Sequence, residues 1–144
     1  MNTRAFCPTR RWQHGWAALA LIAWFASWFL PTLHLGKHSY PGWMVFILSF
    51  TDIPSLFSAL LTLALPVYLV LQLQSRAPRE SLLVAIVGLA LGTACGAQML
   101  YRVGAGERPL GLGYGSWLAS FFLAAVSFVV SKYEGRVNSE SAPE

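Results

Sequence analysis

Four apolar stretches, each close to the length that carries an α-helix through a bilayer, predict an all-α polytopic membrane protein. Two further observations point the same way. Charged residues make up 11% of the 144-residue chain and hydrophobic residues 56%, with a mean hydropathy of +0.53. A soluble domain carries about 25% charge, so the outside of this fold has to be apolar as well. Basic residues, in turn, gather at alternate ends of the stretches, as they do in cytoplasmic loops. The expected architecture is a single domain over residues 12–131: four transmembrane helices packed as a bundle, with a short interfacial helix at the outer side.

Residues 1–11 hold Arg4, Arg10 and Arg11 with no acid, and read as a basic cytoplasmic tail. The first crossing is 12–30, stopped by Pro31; at 1.5 Å per residue it spans roughly 28 Å, close to the hydrocarbon thickness. A cleaved signal peptide is the rival reading. Ala18-Leu19-Ala20 has too few apolar residues before it, and Trp24 and Phe25 stand where a later cleavage site needs a small residue, which favours a retained helix. Residues 31–42 (PTLHLGKHSYPG) form an outer loop punctuated by proline and glycine.

The apolar run from Trp43 to Gln72 is too long for one simple crossing. Asp52 is a good N-cap, and proline at position 54 is tolerated in a first helical turn. The run therefore divides into an interfacial segment at 43–50 and a second crossing at 53–73; a single tilted, proline-kinked helix is the alternative. Pro66 removes one backbone hydrogen bond inside that crossing and should bend it. A stripe of Ser55, Ala59, Thr62 and Pro66 places hydroxyls where they can bond the carbonyl that Pro66 frees. After a polar loop with Arg76 and Arg79, the third crossing is 82–101 and the fourth 110–130. Residues 132–144 are expected to be a disordered cytoplasmic tail.

Arg4, Arg10, Arg11, Arg76, Arg79, Lys132 and Arg136 fall on one side of this arrangement, and only Lys37, Arg102 and Arg108 on the other. That bias predicts both termini in the cytoplasm, in agreement with an even number of crossings. The net charge of +4 and pI near 9.4 thus read as topology signals, and no basic cluster suited to nucleic acid is present. Cys7 and Cys95 do not meet in this topology, so no disulfide is expected. The composition is that of small bacterial inner-membrane proteins.

Helix packing is foreshadowed by small residues. Gly88, Gly92 and Gly96 recur every four residues along the third crossing and let another backbone come close. On the fourth, Gly113, Ser116, Ser120, Ala124, Ser127 and Ser131 follow at steps of 3, 4, 4, 3 and 4. These two rows are expected to meet seam to seam, or to bind a second copy of the chain.

Chemistry is harder to find. No Asp, Glu, Lys or Arg occurs in the middle of any crossing. Small multidrug transporters have a similar length and four helices but depend on a glutamate embedded in the first, and none is present in 12–30; four-helix thiol oxidoreductases need outer cysteine pairs, also missing. What remains is an outer rim of His34, His38, Asp52 and Arg102, joined by Lys37, Glu107 and Arg108. Asp52 and Arg102 fall at neighbouring helix ends and read as a cap and an interfacial ion pair, or as a ligand or partner site. His34 and His38 are spaced as helical metal ligands are, but Gly36 between them and Pro31 before them argue against a helix, and no metal is expected. Gly104–Gly106 and Gly111–Gly115 lack the strand and Lys-Ser/Thr of a phosphate loop. No cofactor or catalytic residue is expected. The reading is a non-enzymatic accessory or interaction protein of a larger membrane process, with lipid and a protein partner or a second copy as its contacts; a small oligomeric transporter or channel is the alternative, followed by a membrane enzyme using the outer rim.

Overall fold

The computed structural model describes residues 9–35, 37–51, 53–74, 76, 80–103 and 110–140, and side chains within 14–35, 37–50, 55–74, 76, 80–98 and 110–133. It contains α1 (Thr9–Phe29), a hairpin of β1 (Pro31–Leu35) and β2 (His38–Pro41), a short α2 (Gly42–Leu48) followed by a 3-10 turn (Ser49–Thr51), α3 (Ile53–Leu73), α4 (Ser81–Val103) and α5 (Leu112–Glu140). The four long helices close a ring in which α1 lies between α3 and α5, and α4 completes the other side.

α1 ends at Phe29 because Pro31 has no N–H to donate and pushes the residue before it out of helical geometry. The expected loop at 31–42 is instead an antiparallel hairpin, pairing Leu33 with Tyr40, His34 with Ser39 and Leu35 with His38. Thr32 and Tyr40 favour extended backbone, and the two strands follow one another closely in sequence, as in a hairpin. A bridge between Leu33 and Leu110, and a bond from the Gly111 N–H to the Thr32 carbonyl at 3.0 Å, tie the hairpin to the start of α5. The hairpin therefore lies across one end of the bundle. α2 is a helix separate from α3, divided from it by the 3-10 turn, and it buries none of its own residues.

α5 runs to Glu140, well beyond the expected end at Val130. Once formed, a helix gains a hydrogen bond for each residue it adds, and no proline interrupts it before Pro143. The disorder expected from Lys132 onward thus gives way to helix over its first nine positions, Lys132 to Glu140.

Alanines and hydroxyl residues share the centre with a few leucines and phenylalanines, and many large apolar side chains face outward. Ala17, Ala20, Leu65, Leu69, Ala85, Phe121, Ala124 and Phe128 form the core, joined by buried Ser27, Thr62, Ser120 and Ser127. Ile22 (64% exposed), Phe25, Phe29 (68%), Phe57, Val67, Leu83 and Phe122 stand on the outside. This distribution is suited to lipid, where close backbone approach rather than hydrophobic collapse drives helix association. α3, α4 and α5 contain stretches long and apolar enough to cross a membrane: Ser55–Leu73, Ser81–Gln98 and Leu112–Tyr133.

Candidate functional site

Beneath the hairpin the helices part and leave a cavity of about 190 Å³. Its walls come from all five helices and β1: Ser27 and Trp28 of α1, Thr32 and Leu33 of β1, Val45 and Phe46 of α2, Ser58, Ala59 and Thr62 of α3, Cys95 and Gly96 of α4, and Tyr114 and Trp117 of α5. Among the described residues the lining holds no Asp, Glu, Lys, Arg or His.

The floor is built around Thr62. Pro66 has no N–H, so the Thr62 carbonyl, four residues earlier, loses its helical partner. The indole N–H of Trp24 donates to that carbonyl at 2.8 Å. The Trp117 indole donates to the Thr62 hydroxyl at 2.9 Å, and the hydroxyl donates in turn to the Ser58 carbonyl at 2.8 Å. The carbonyl freed by Pro66 is therefore satisfied by a tryptophan of α1, not by the hydroxyl stripe of α3 as expected; the stripe's hydroxyl lies on the same helix as its own backbone acceptor, and the indole alone reaches across. One residue ties α1, α3 and α5 together, and immediately below it sit fully buried Leu65, Leu69 and Phe121.

The walls use most of their donors on backbone carbonyls. Ser27 donates to Trp24 at 2.6 Å, Thr32 to Leu30 at 3.2 Å, Ser49 to Val45 at 2.9 Å, and Tyr114 to Gly92 of α4. Trp28 differs. Its ring packs on Trp24 and Phe46 at centroid distances of 5.4 and 4.9 Å, and its indole N–H is buried with no acceptor.

The glycine and serine rows pack differently from expectation. A methyl at Gly88 would meet the Phe121 ring, one at Gly92 would meet Trp117 and Leu118, and one at Gly96 would meet Tyr114. The glycine stripe of α4 is thus a groove for the large side chains of α5. The small row of α5 turns elsewhere: Gly113 abuts the Leu30 carbonyl, and the Ser116 hydroxyl donates to the Ala23 carbonyl of α1 at 2.8 Å. Two small rows set face to face would leave their large neighbours without room, whereas ring against glycine fills the space. Ser120 and Ala124 are buried in the same interior, and Gln72 of α3 donates to the Ser127 hydroxyl at 2.7 Å and to its carbonyl at 3.1 Å.

Of the expected rim, His34 accepts or donates through Nδ1 with the Ser39 hydroxyl at 2.8 Å across the hairpin, and its other edge lies against Gly111. His38 pairs with Leu35, one step along the ladder; neighbouring positions of a strand point to opposite faces, so the two imidazoles diverge. Asp52, Glu107 and Arg108 lie outside the described residues, and so does the side chain of Arg102. Among the described residues no three His, Cys, Asp or Glu side chains gather as a metal site would require. Sequence reasoning missed Trp28, Thr32, Ser58, Cys95 and Tyr114 as cavity residues. Only their common level in the folded bundle relates them.

Fold and site together define a mostly helical protein with three helices apolar enough to cross a membrane and, among the described residues, a roofed cavity without charged side chains at one end. Comparison with protein-family models, with curated proteins and with solved structures finds no match for this chain.

Proposed function

We propose that the chain is a four-span integral membrane protein of the bacterial-type inner membrane, with both termini cytoplasmic, acting as a non-enzymatic accessory or interaction component of a larger membrane process. α1 is the fourth crossing in this reading. Its apolar described part, His14–Phe29, is shorter than those of the other three, but Leu19, Ile22, Phe25 and Phe29 project outward along its length and its inner face packs against α5. The basic bias of the sequence then puts the hairpin end outside, and α2, with Trp43, Met44 and Ile47 exposed, lies in the outer interface.

The observation that carries the reading is the floor of the cavity. The hydrogen-bonded layer at Thr62 rests on a packed core, so the cavity is a blind recess. A blind recess with no charged side chain among its described lining residues, under a small exposed cap, is suited to holding or presenting something, and poorly suited to conduction. Extraction in mild detergent and purification by a terminal tag tests it: one partner is expected to copurify in fixed stoichiometry. Isolation of the chain alone, together with flux of an ion or solute in reconstituted vesicles, would replace this reading with a transporter or channel.

A further inference from the structure

We propose that the cavity under the hairpin holds the ester-proximal part of an acyl chain of a bilayer lipid, whose ester carbonyl accepts the hydrogen bond that Trp28 offers. The proposal rests on the four-span reading, because it needs α1 to face lipid.

Three observations on different atoms converge. Among the described residues the recess has no charged side chain and is mostly apolar, and at about 190 Å³ it exceeds the roughly 150 Å³ of an engineered apolar cavity that admits benzene. It therefore has room for the several carbons next to the ester. Second, the indole N–H of Trp28 is buried without an acceptor, whereas those of Trp24 and Trp117 both have one. Buried indole donors are ordinarily paired, and an ester oxygen is the acceptor that a lipid carries at interfacial depth. Trp28 lies one residue from the end of α1, where that depth falls in the proposed orientation. Third, Trp28 also lines a shallow groove on the outward surface, with Trp24, Phe25, Phe29 and Trp43. The same ring thus stands between the recess and the lipid-facing side, so turning it would both open a lateral way in from the bilayer and bare its buried N–H to the entering chain.

The test uses the full-length chain carrying Cys7→Ser, reconstituted in phosphatidylcholine vesicles doped with phosphatidylcholine that bears a diazirine on its acyl chain. Photolysis followed by peptide mass spectrometry is expected to place adducts on Ser58 or Cys95 as well as on outward-facing Ile22, Phe25, Phe57 and Leu60. Trp28→Phe keeps a ring but removes the donor and should lower the cavity adducts about five-fold, the effect of one net hydrogen bond, with the outward adducts unchanged. Ala59→Leu should abolish the cavity adducts by filling the recess; Cys95→Leu serves the same purpose on another wall, read at Ser58, if the first variant does not fold. A charged, water-borne thiosulfonate should leave Cys95 unmodified. Adducts confined to outward positions would overturn the lipid assignment alone. So would modification of Cys95 by that reagent as fast as of a cysteine placed by Lys37→Cys on the exposed hairpin, since the recess would then be aqueous. Absence of adducts from Ile22 and Phe25 would instead remove the four-span reading itself.

Discussion

Thr62 shows how one substitution in the backbone's hydrogen-bonding scheme is answered from another helix. Pro66 withdraws a donor, and Trp24, 38 residues away in sequence, supplies one. Trp24→Phe is therefore expected to leave a buried carbonyl unpaired and to destabilise the protein by about 1–3 kcal/mol, read as a lower melting midpoint in detergent. In a Pro66→Ala background the helix regains its own donor for Thr62, so the same Trp24→Phe change should lose most of its effect. Equal effects in both backgrounds would show that the indole acts only by packing. The proline and the hydroxyl stripe were readable from sequence. The identity of the donor was not, because local spacing says nothing about which side chain a neighbouring helix brings to that level. The two histidines make the same point: their spacing suits a helix, but they occupy a hairpin, which turns them to opposite faces.

At the scale of elements, the glycine spacing of α4 was legible as a site of close approach, but its occupant was not. Tyr114, Trp117 and Phe121 of α5 recur at steps of three and four and fill the groove left by Gly96, Gly92 and Gly88. Gly88→Ala should therefore overpack the contact and destabilise by about 1–3 kcal/mol. Phe121→Leu added to it should recover part of that loss, although Phe121→Leu alone is itself destabilising. Gly15→Ala, with open space around it, should have little effect. If Gly88→Ala proves neutral in thermal unfolding, the ring-in-groove account of the α4–α5 contact fails. The small row of α5 needed a mate; sequence pointed to the glycines of α4 or to a second copy of the chain, and the structure adds the Ala17, Ala20, Ala23 and Ser27 row of α1. Volume decides between them, since the rings on α5 take the glycines and leave the alanines for the small row.

For the whole molecule, large apolar side chains on the outside match a lipid solvent, and the distribution of Lys and Arg sets the proposed orientation. Reporters fused to the two termini are expected to respond on the cytoplasmic side alike. A cysteine introduced by Lys37→Cys should react with a membrane-impermeant maleimide in intact cells, and one introduced by Arg76→Cys only after permeabilisation. Termini found on opposite sides would mean that α1 does not cross.

By itself, the sequence determined a mostly helical chain with apolar spans of bilayer length, because hydrocarbon offers the backbone no hydrogen-bonding partner and each span must satisfy its own amides. Those requirements are local, written in runs of consecutive residues. The tertiary structure decided the hairpin lid, the pairing of glycine groove with aromatic row, the indole at Thr62 and the recess beneath the lid. Each depends on the level at which residues far apart in sequence meet, and that level is set by how side-chain volumes fit once the helices are brought together.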